Sequence, residues 1–143
     1  MKRYDPQMHT AEHILNQTMI RILGCHRAFF FHLKKKKSKC DYHFDRPLSE
    51  AEIQQIQDKV NRVINLALPV RERHIDMGDA AHLVDTSKLP EQDMQDIRMI
   101  YVGDYDACPC IGDHVNNTSE IGNFRITTTS YDDGVLRIRF KLD

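Results

Sequence analysis

The stretch His9-Thr10-Ala11-Glu12-His13 places two histidines four positions apart, and Cys110-Ile111-Gly112-Asp113-His114 repeats that spacing with a cysteine and a histidine. On a helix, a separation of four puts two side chains on one face, one turn apart. One cysteine and three histidines form a complete tetrahedral ligand set for zinc, a borderline-soft ion. The sequence therefore predicts one zinc site, built from two distant stretches, with the ligands His9, His13, Cys110 and His114.

The composition is that of an ordinary globular protein. The chain has 143 residues, of which 41% are hydrophobic, and it carries 20 basic and 21 acidic side chains. This length predicts a single domain over residues 1–143. A net charge of -1 excludes a protein that coats nucleic acid by bulk charge, although a local basic patch is compatible with it. We expect a soluble, cytoplasmic protein, because no apolar run could span a membrane and residues 1–6 lack a secretory signal.

The cysteines are interpreted as thiols that serve a metal site. Four cysteines could form two disulfides, but a cytoplasmic chain that combines Cys with His favours metal binding. Cys108 is an alternative ligand to Cys110. Pro109 between them favours an extended turn in which the two thiols point in different directions. Cys110 is preferred because only it has the four-residue spacing to His114.

The spacing of apolar residues predicts an α+β fold. Residues 8–23 follow a helical pattern that Gly24 is expected to end. A second long helix should begin at Ser49, whose side chain and Glu52 form a capping-box pattern, and end at Pro69. The segment around Cys108 and Cys110 is predicted as a loop. Strands are predicted over residues 28–33, 39–44, 70–75, 97–102, 124–129 and 135–142, a short helix over 79–84, and a polar loop at 88–90. The fold class is α+β, with a mainly antiparallel sheet packed with two longer helices.

Two features of the sequence have competing interpretations. Glu12 completes the pattern His-x-x-Glu-His, in which inverted zincins use the glutamate as a general base. The pattern is short, and those enzymes add a distant acidic ligand, so we interpret Glu12 as a solvated helix residue. The run Lys34-Lys35-Lys36-Lys37, followed by Lys39, is either a solvated hairpin turn or an electrostatic contact to a phosphate backbone. The remaining histidines are interpreted as structural or surface residues: His26, His32, His43, His74 and His82.

Both stretches resemble one protein family. His9-Thr10-Ala11-Glu12-His13-Ile14-Leu15 resembles the His-Thr-Ala-x-His-Leu-Leu motif of alanyl-tRNA synthetase editing domains. Cys110-Ile111-Gly112-Asp113-His114-Val115 is similar to their Cys-Gly-Gly-Thr-His-Val motif, and residues 117–126 resemble the stretch that follows. The chain is thus identified as a member of the family that includes the second additional domain of alanyl- and threonyl-tRNA synthetases. It resembles the freestanding, short type, which hydrolyses mischarged aminoacyl-tRNA in trans.

The resemblance implies a zinc-dependent hydrolase whose partner is the tRNA acceptor end with its attached amino acid, and no membrane. By position, the zinc ligands are His9, His13, Cys110 and His114, and Ser- or Gly-tRNA(Ala) is the expected substrate. Thr10 and Gln17 lie near the histidine face of the first helix and are expected to line the catalytic pocket. Asp113 is expected to orient a ligand histidine or to act as a base.

Three departures from the family keep a second hypothesis open. Ile111 replaces the first Gly of the second motif and Asp113 replaces its Thr. Leu136 stands where the family often has Arg, whereas Arg137 is kept. The alternative is a zinc-stabilised RNA- or protein-binding module that has the editing fold but no hydrolytic activity.

Overall fold

The computed structural model describes residues 4–76 and 96–143. The helix predicted over residues 79–84, the loop at 88–90 and His82 lie outside the described residues. The elements, in chain order, are α1 (Pro6–Leu23), β1 (Phe30–Leu33), β2 (Ser38–His43), α2 (Glu50–Asn65), β3 (Val70–Asp76), β4 (Asp96–Val102), β5 (Asp106–Pro109), β6 (Phe124–Asp132) and β7 (Val135–Leu142). The predicted α+β class and its two longer helices are confirmed.

Helix α1 is the central element of the fold. The side chain of Asp5 caps it by accepting a hydrogen bond from the Met8 amide, and Pro6 opens the first turn with a pre-set φ angle. Gly24 ends it, as predicted, in a left-handed conformation with φ of 72°. Every residue from 8 to 16 is buried, so α1 has no solvated face over this stretch.

Helix α2 begins as predicted and ends earlier. The reciprocal hydrogen bonds between Ser49 and Glu52 form the expected capping box. The prediction that Pro69 ends the helix is wrong, because the last helical residue is Asn65. Thr118 provides the physical reason: its hydroxyl donates to the carbonyl of Ile64 at 2.9 Å and replaces the next turn of helix.

The strands are antiparallel, as predicted, and they form two sheets. The larger has the order β1-β2-β7-β6, and the smaller has the order β3-β4-β5. Strand β5 was predicted as part of a loop, because four residues that end in proline carry too little alternation to indicate a strand. Both predicted hairpins are confirmed, including the turn at Asp133-Gly134, where both residues have positive φ.

One hydrophobic core lies between the helices and the larger sheet. Tyr42, Phe124 and Phe140 are its largest fully buried side chains, and they pack with the apolar residues of α1 and α2. Neither helix of the described residues combines the length and the apolar character that a bilayer crossing requires. The smaller sheet also contributes to this core, through Val102 of β4 and Val70 of β3.

Candidate metal centre

The four predicted ligands converge in the structure. His9, His13, Cys110 and His114 each offer one donor atom, and these four atoms lie within 4.8 Å of one another. His9 and His13 project from adjacent turns of α1, and the His9 and His114 rings stack with centroids 4.1 Å apart. Both α1 histidines are 2% exposed. A site of two buried and two half-buried ligands therefore forms where α1 meets the loop after β5.

The spacing of four in the second stretch does not come from a helix. Cys110 follows the last residue of β5, and residues 110–115 form an irregular loop. Arg98 of β4 holds this loop, because its Nη1 atom donates to the carbonyls of Cys110 and Gly112, each at 2.9 Å. The amide of Cys110 returns a hydrogen bond to the Arg98 carbonyl at 3.1 Å. The loop is thus folded around one guanidinium group, which brings Cys110 and His114 back towards α1.

Gly112 is required by the close approach of the loop to α1. A Cβ atom at this position would lie 2.3 Å from Cε1 and 2.6 Å from Nδ1 of His9. The neighbouring Ile111 is 55% exposed and points away from the site. The departure from the family motif at Ile111 therefore falls where a side chain meets solvent, and the glycine that the packing needs is kept.

The backbone of the loop determines the tautomer of His9. Its Nδ1 atom lies 3.1 Å from the carbonyl oxygen of Asp113. A carbonyl can only accept, so Nδ1 carries the proton and donates. The Nε2 atom, 3.2 Å from Cys110 Sγ, then carries the lone pair that a metal needs.

Thr10 orients His114 in the same way. Its hydroxyl donates to the Pro6 carbonyl at 3.0 Å and accepts from the Val115 amide at 3.2 Å. The one remaining lone pair faces His114 Nδ1 at 2.9 Å, so this ring nitrogen is the donor. His114 Nε2 is left buried, and no described residue satisfies it. Thr10 is fully buried with a saturated hydroxyl, so it holds a ligand and does not line a pocket as predicted.

Asp106 of β5 lies next to the imidazole of His13. Its Oδ2 atom is 3.6 Å from His13 Nδ1, a ring nitrogen without a hydrogen-bond partner in the described part of the chain. Arg27 grips both oxygens of this carboxylate, at 2.8 and 3.2 Å, and Gln17 donates to Oδ1 at 2.9 Å. Gln17 was predicted to line the pocket, and the structure places it on Asp106. Neither motif contains Asp106 or Arg27, so sequence reasoning missed both.

Comparison with known proteins agrees with this geometry. Residues 97–139 match the family described as the threonyl and alanyl tRNA synthetase second additional domain. The chain is a homologue of that domain. The alanine–tRNA ligase of Caldicellulosiruptor saccharolyticus is 36% identical over 123 residues, which cover 85% of this chain and 14% of the ligase. The alanine–tRNA ligase of Aeropyrum pernix is 32% identical over 139 residues, 92% of this chain and 15% of the ligase.

This second-additional-domain homologue is therefore a tRNA-synthetase-related module. It spans only about one seventh of the length of the ligases that it matches. The two ligase matches cover 85% and 92% of the chain, whereas the family model covers residues 97–139, from β4 to β7.

The electrostatics of the homologue's site suit a metal. Burial alone raises the pKa of the Cys110 thiol, but the neighbouring imidazoles of His114, His13 and His9 outweigh it and lower the pKa to about 3. Burial lowers the pKa of His114 to about 4, and His13 and His9 add to this effect. The pKa of His13 lies well above its usual value, because Asp106 and Cys110 outweigh burial. A thiolate and a neutral imidazole are the forms that bind zinc, so the raised pKa of His13 means that this ring has to lose a proton when the metal binds.

The interpretation of Glu12 as a solvated residue is wrong. Its side chain is buried because α1 is covered on all sides at this point. Asn16 donates to Glu12 Oε2, while Oε1 lies 3.7 Å from His13 Nε2. Tyr42 of β2 donates in turn to Asn16 at 2.7 Å. The buried Glu12 carboxylate is thus fixed by Asn16 through one oxygen, and its other oxygen lies next to His13 of the ligand cluster.

The side chains of the other predicted residues are not among the four clustered donors. Asp113 is exposed, and the contact with His9 comes from its backbone carbonyl. The Cys108 thiol contacts the Pro109 carbonyl at 3.4 Å and is not one of the four clustered donors. All four cysteines are free thiols. His26, His43 and His74 are exposed, as their interpretation as surface residues implies.

Proposed function

We propose that this homologue is a zinc-dependent hydrolase that deacylates mischarged aminoacyl-tRNA in trans, most directly Ser- or Gly-tRNA(Ala). We further propose that residues 1–143 act as a single domain in the cytoplasm. The observation that carries the proposal is the convergence of four donor atoms, with the tautomers of His9 and His114 set by Asp113 and Thr10 and with the Asp106 carboxylate 3.6 Å from His13. Such support for ligand histidines is typical of real metal sites.

The residues fit zinc by their chemistry. The Cys110 thiolate and the imidazoles of His9, His13 and His114 would hold the ion, and the orphaned Nε2 of His114 would gain a partner. When bound, zinc supplies a Lewis acid that can polarise an ester carbonyl or a water molecule. The chain itself must then supply the groups that move protons.

Ester hydrolysis needs one group that accepts a proton from the attacking water and returns it to the leaving ribose oxygen. Glu12 is suited to this, because Asn16 fixes one oxygen of its carboxylate and leaves the other directed at the ligand cluster. Asp113 is a second candidate, since its exposed side chain stands next to His114 and can exchange protons with solvent. Thr10 and Gln17 serve the reaction indirectly, by holding His114 and Asp106.

One observation favours the alternative function. Four protein ligands close the tetrahedral shell, which is typical of structural zinc, whereas catalytic sites keep a position for water or substrate. A zinc-stabilised RNA- or protein-binding module without hydrolytic activity would need the same four residues.

A deacylation assay separates the two functions. The pure protein is incubated with Ser-tRNA(Ala), Gly-tRNA(Ala) and Ser-tRNA(Thr), with correctly charged Ala-tRNA(Ala) as the matched control. We expect hydrolysis of Ser- or Gly-tRNA(Ala) above the spontaneous rate, which a chelator abolishes and added zinc restores. If the zinc-loaded protein leaves every substrate at its spontaneous rate, the hydrolase is rejected and the binding module remains.

A further inference from the structure

The larger sheet has one face on the core and one face turned away from it. Along β7 the residues Leu136, Ile138 and Phe140 are fully buried, so the alternating residues Arg137, Arg139 and Lys141 lie on the opposite face. Basic side chains from the neighbouring strands lie on this outer face too. They are directly opposite β7 residues in the register: Lys39 of β2 faces Arg139, and Arg125 of β6 faces Lys141.

Of the three outer-face residues of β7, Arg137 and Lys141 have carboxylate partners. Arg137 faces Asp41 across the strands and forms a two-pronged ion pair with it, at 2.7 and 2.9 Å. Arg125 and Lys141 are like charges, but Asp143 reaches both, at 3.5 and 3.6 Å. Within residues 4–76 and 96–143, carboxylates thus balance the outer-face cations at these two positions.

The third position is different. Lys39 and Arg139 are directly opposite each other, and neither forms an ion pair with a carboxylate of the described residues. Like charges directly opposite on adjacent strands destabilise a sheet. The chain carries a net charge of -1, yet within the described residues this cationic pair between two central strands has no carboxylate partner. An anionic ligand would relieve the repulsion.

The surroundings of this pair indicate which anion fits. The exposed run Lys34-Lys35-Lys36-Lys37 forms the turn of the β1–β2 hairpin next to Lys39. Phe30 is 46% exposed, and the Lys39 ammonium lies 5.9 Å from the centroid of its ring. Cations beside an exposed aromatic ring are typical of surfaces that bind single-stranded nucleic acid, where phosphates pair with the charges and bases stack on the ring.

We propose that Lys39, Arg139 and the lysine turn, together with Phe30, form a docking face for the phosphate backbone of tRNA. The proposal rests on the proposed function, because it names tRNA as the ligand. The docking face and the metal centre are both close to β1: Phe31, on the core side of this strand, packs against Tyr4 at 5.5 Å between ring centroids, and Tyr4 packs against His9 at 5.0 Å.

The test compares two double variants of equal charge change. In the first, Lys39→Gln and Arg139→Gln remove the uncompensated pair. In the matched control, Arg62→Gln and Arg71→Gln remove two exposed cations from α2 and β3. Binding of uncharged tRNA(Ala) to each protein is measured by fluorescence anisotropy over a range of potassium chloride concentrations, so the readout does not depend on hydrolysis.

We expect the first double variant to bind tRNA about tenfold more weakly at 0.1 M salt, and the slope of log affinity against log salt to fall by about two. Its melting temperature should stay the same or rise, because a repulsive cross-strand pair is removed. The control should keep the affinity and slope of the parent protein. In deacylation, the first variant should raise KM and leave kcat unchanged.

Three results overturn the proposal: an unchanged affinity and slope in the first variant, an equal loss in the control, or no binding of tRNA by the parent protein at low salt. In the first of these cases, a selective loss of binding to phosphatidylserine vesicles would assign the face to a membrane surface instead. If the parent protein binds tRNA through this face but hydrolyses no aminoacyl-tRNA, the docking face stands and the proposed hydrolase fails.

Discussion

The two halves of the metal centre share the spacing of four residues and achieve it in different ways. His9 and His13 belong to α1, a capped helix. Both side chains are buried, so the packing around them restricts their conformations. Cys110 and His114 belong to a loop that is folded around Arg98 and pressed against His9 at Gly112. The helical half is fixed by its own backbone hydrogen bonds, whereas the loop half depends on contacts with other elements. We therefore expect the loop half to be the more sensitive to substitution of residues that are not ligands.

Loss of a ligand should have the largest effect and should be equal in both halves. Protein purified without added zinc should hold about one equivalent of the metal. Both His13→Ala, in the helical half, and Cys110→Ala, in the loop half, should lose most of it, because each removes one of four converging donors. Cys108→Ala is the matched control and should keep its zinc, as measured by metal analysis. Full zinc retention in the Cys110 variant would reject the ligand assignment.

The next effect should distinguish the halves. Gly112→Ala places a methyl group against the His9 ring, so either the ring or the loop must move. We expect a loss of about 1–3 kcal/mol in the free energy of unfolding by urea, together with weaker zinc binding. Ile111→Ala, one residue earlier and exposed, should change neither measurement. If both variants behave alike, the loop does not depend on close packing against α1.

A smaller effect should follow from the carboxylate behind His13. Asp106→Asn should weaken zinc binding by about ten- to a hundredfold, because it removes the charge that orients this ring. Asp41→Asn is a matched control: Asp41 is as buried as Asp106 and also forms a two-pronged pair with an arginine, but far from the metal centre.

Zinc affinity from chelator competition and melting temperature should be measured for both variants. Both are expected to melt at lower temperature, and only the Asp106 variant should lose zinc affinity. Equal zinc affinities would reduce Asp106 to a structural ion pair.

The smallest effect on zinc is expected at Asp113. The backbone carbonyl of this residue, which Asp113→Asn retains, makes the contact with His9. Zinc content should therefore remain that of the parent protein. If the side chain handles a proton, deacylation should fall by about ten- to a hundredfold. Asp104→Asn, another exposed aspartate of the same segment, is the control and should leave the rate unchanged. An unaltered rate in the Asp113 variant removes this carboxylate from the mechanism.

The same contrast explains what the sequence could predict. The ligands and the Ser49–Glu52 cap were predicted because spacing and capping are local properties of the chain. Glu12 was misinterpreted because burial on every side of α1 depends on packing that periodicity does not reveal. Asp106 and Arg27 were missed because β5 is only four residues long and lies 79 positions from Arg27 in the chain, so only the fold brings them together.

X-ray absorption at the zinc edge of the protein as purified tests most directly whether a helix and a loop converge on one ion. The structure predicts one sulfur ligand at about 2.3 Å and three nitrogen ligands at about 2.0–2.1 Å. The same spectrum of the Cys110→Ala variant, loaded with zinc, should lack the sulfur shell. Two sulfur ligands, or a shell of nitrogen and oxygen alone in the parent protein, would contradict the convergence of His9, His13, Cys110 and His114 on the metal.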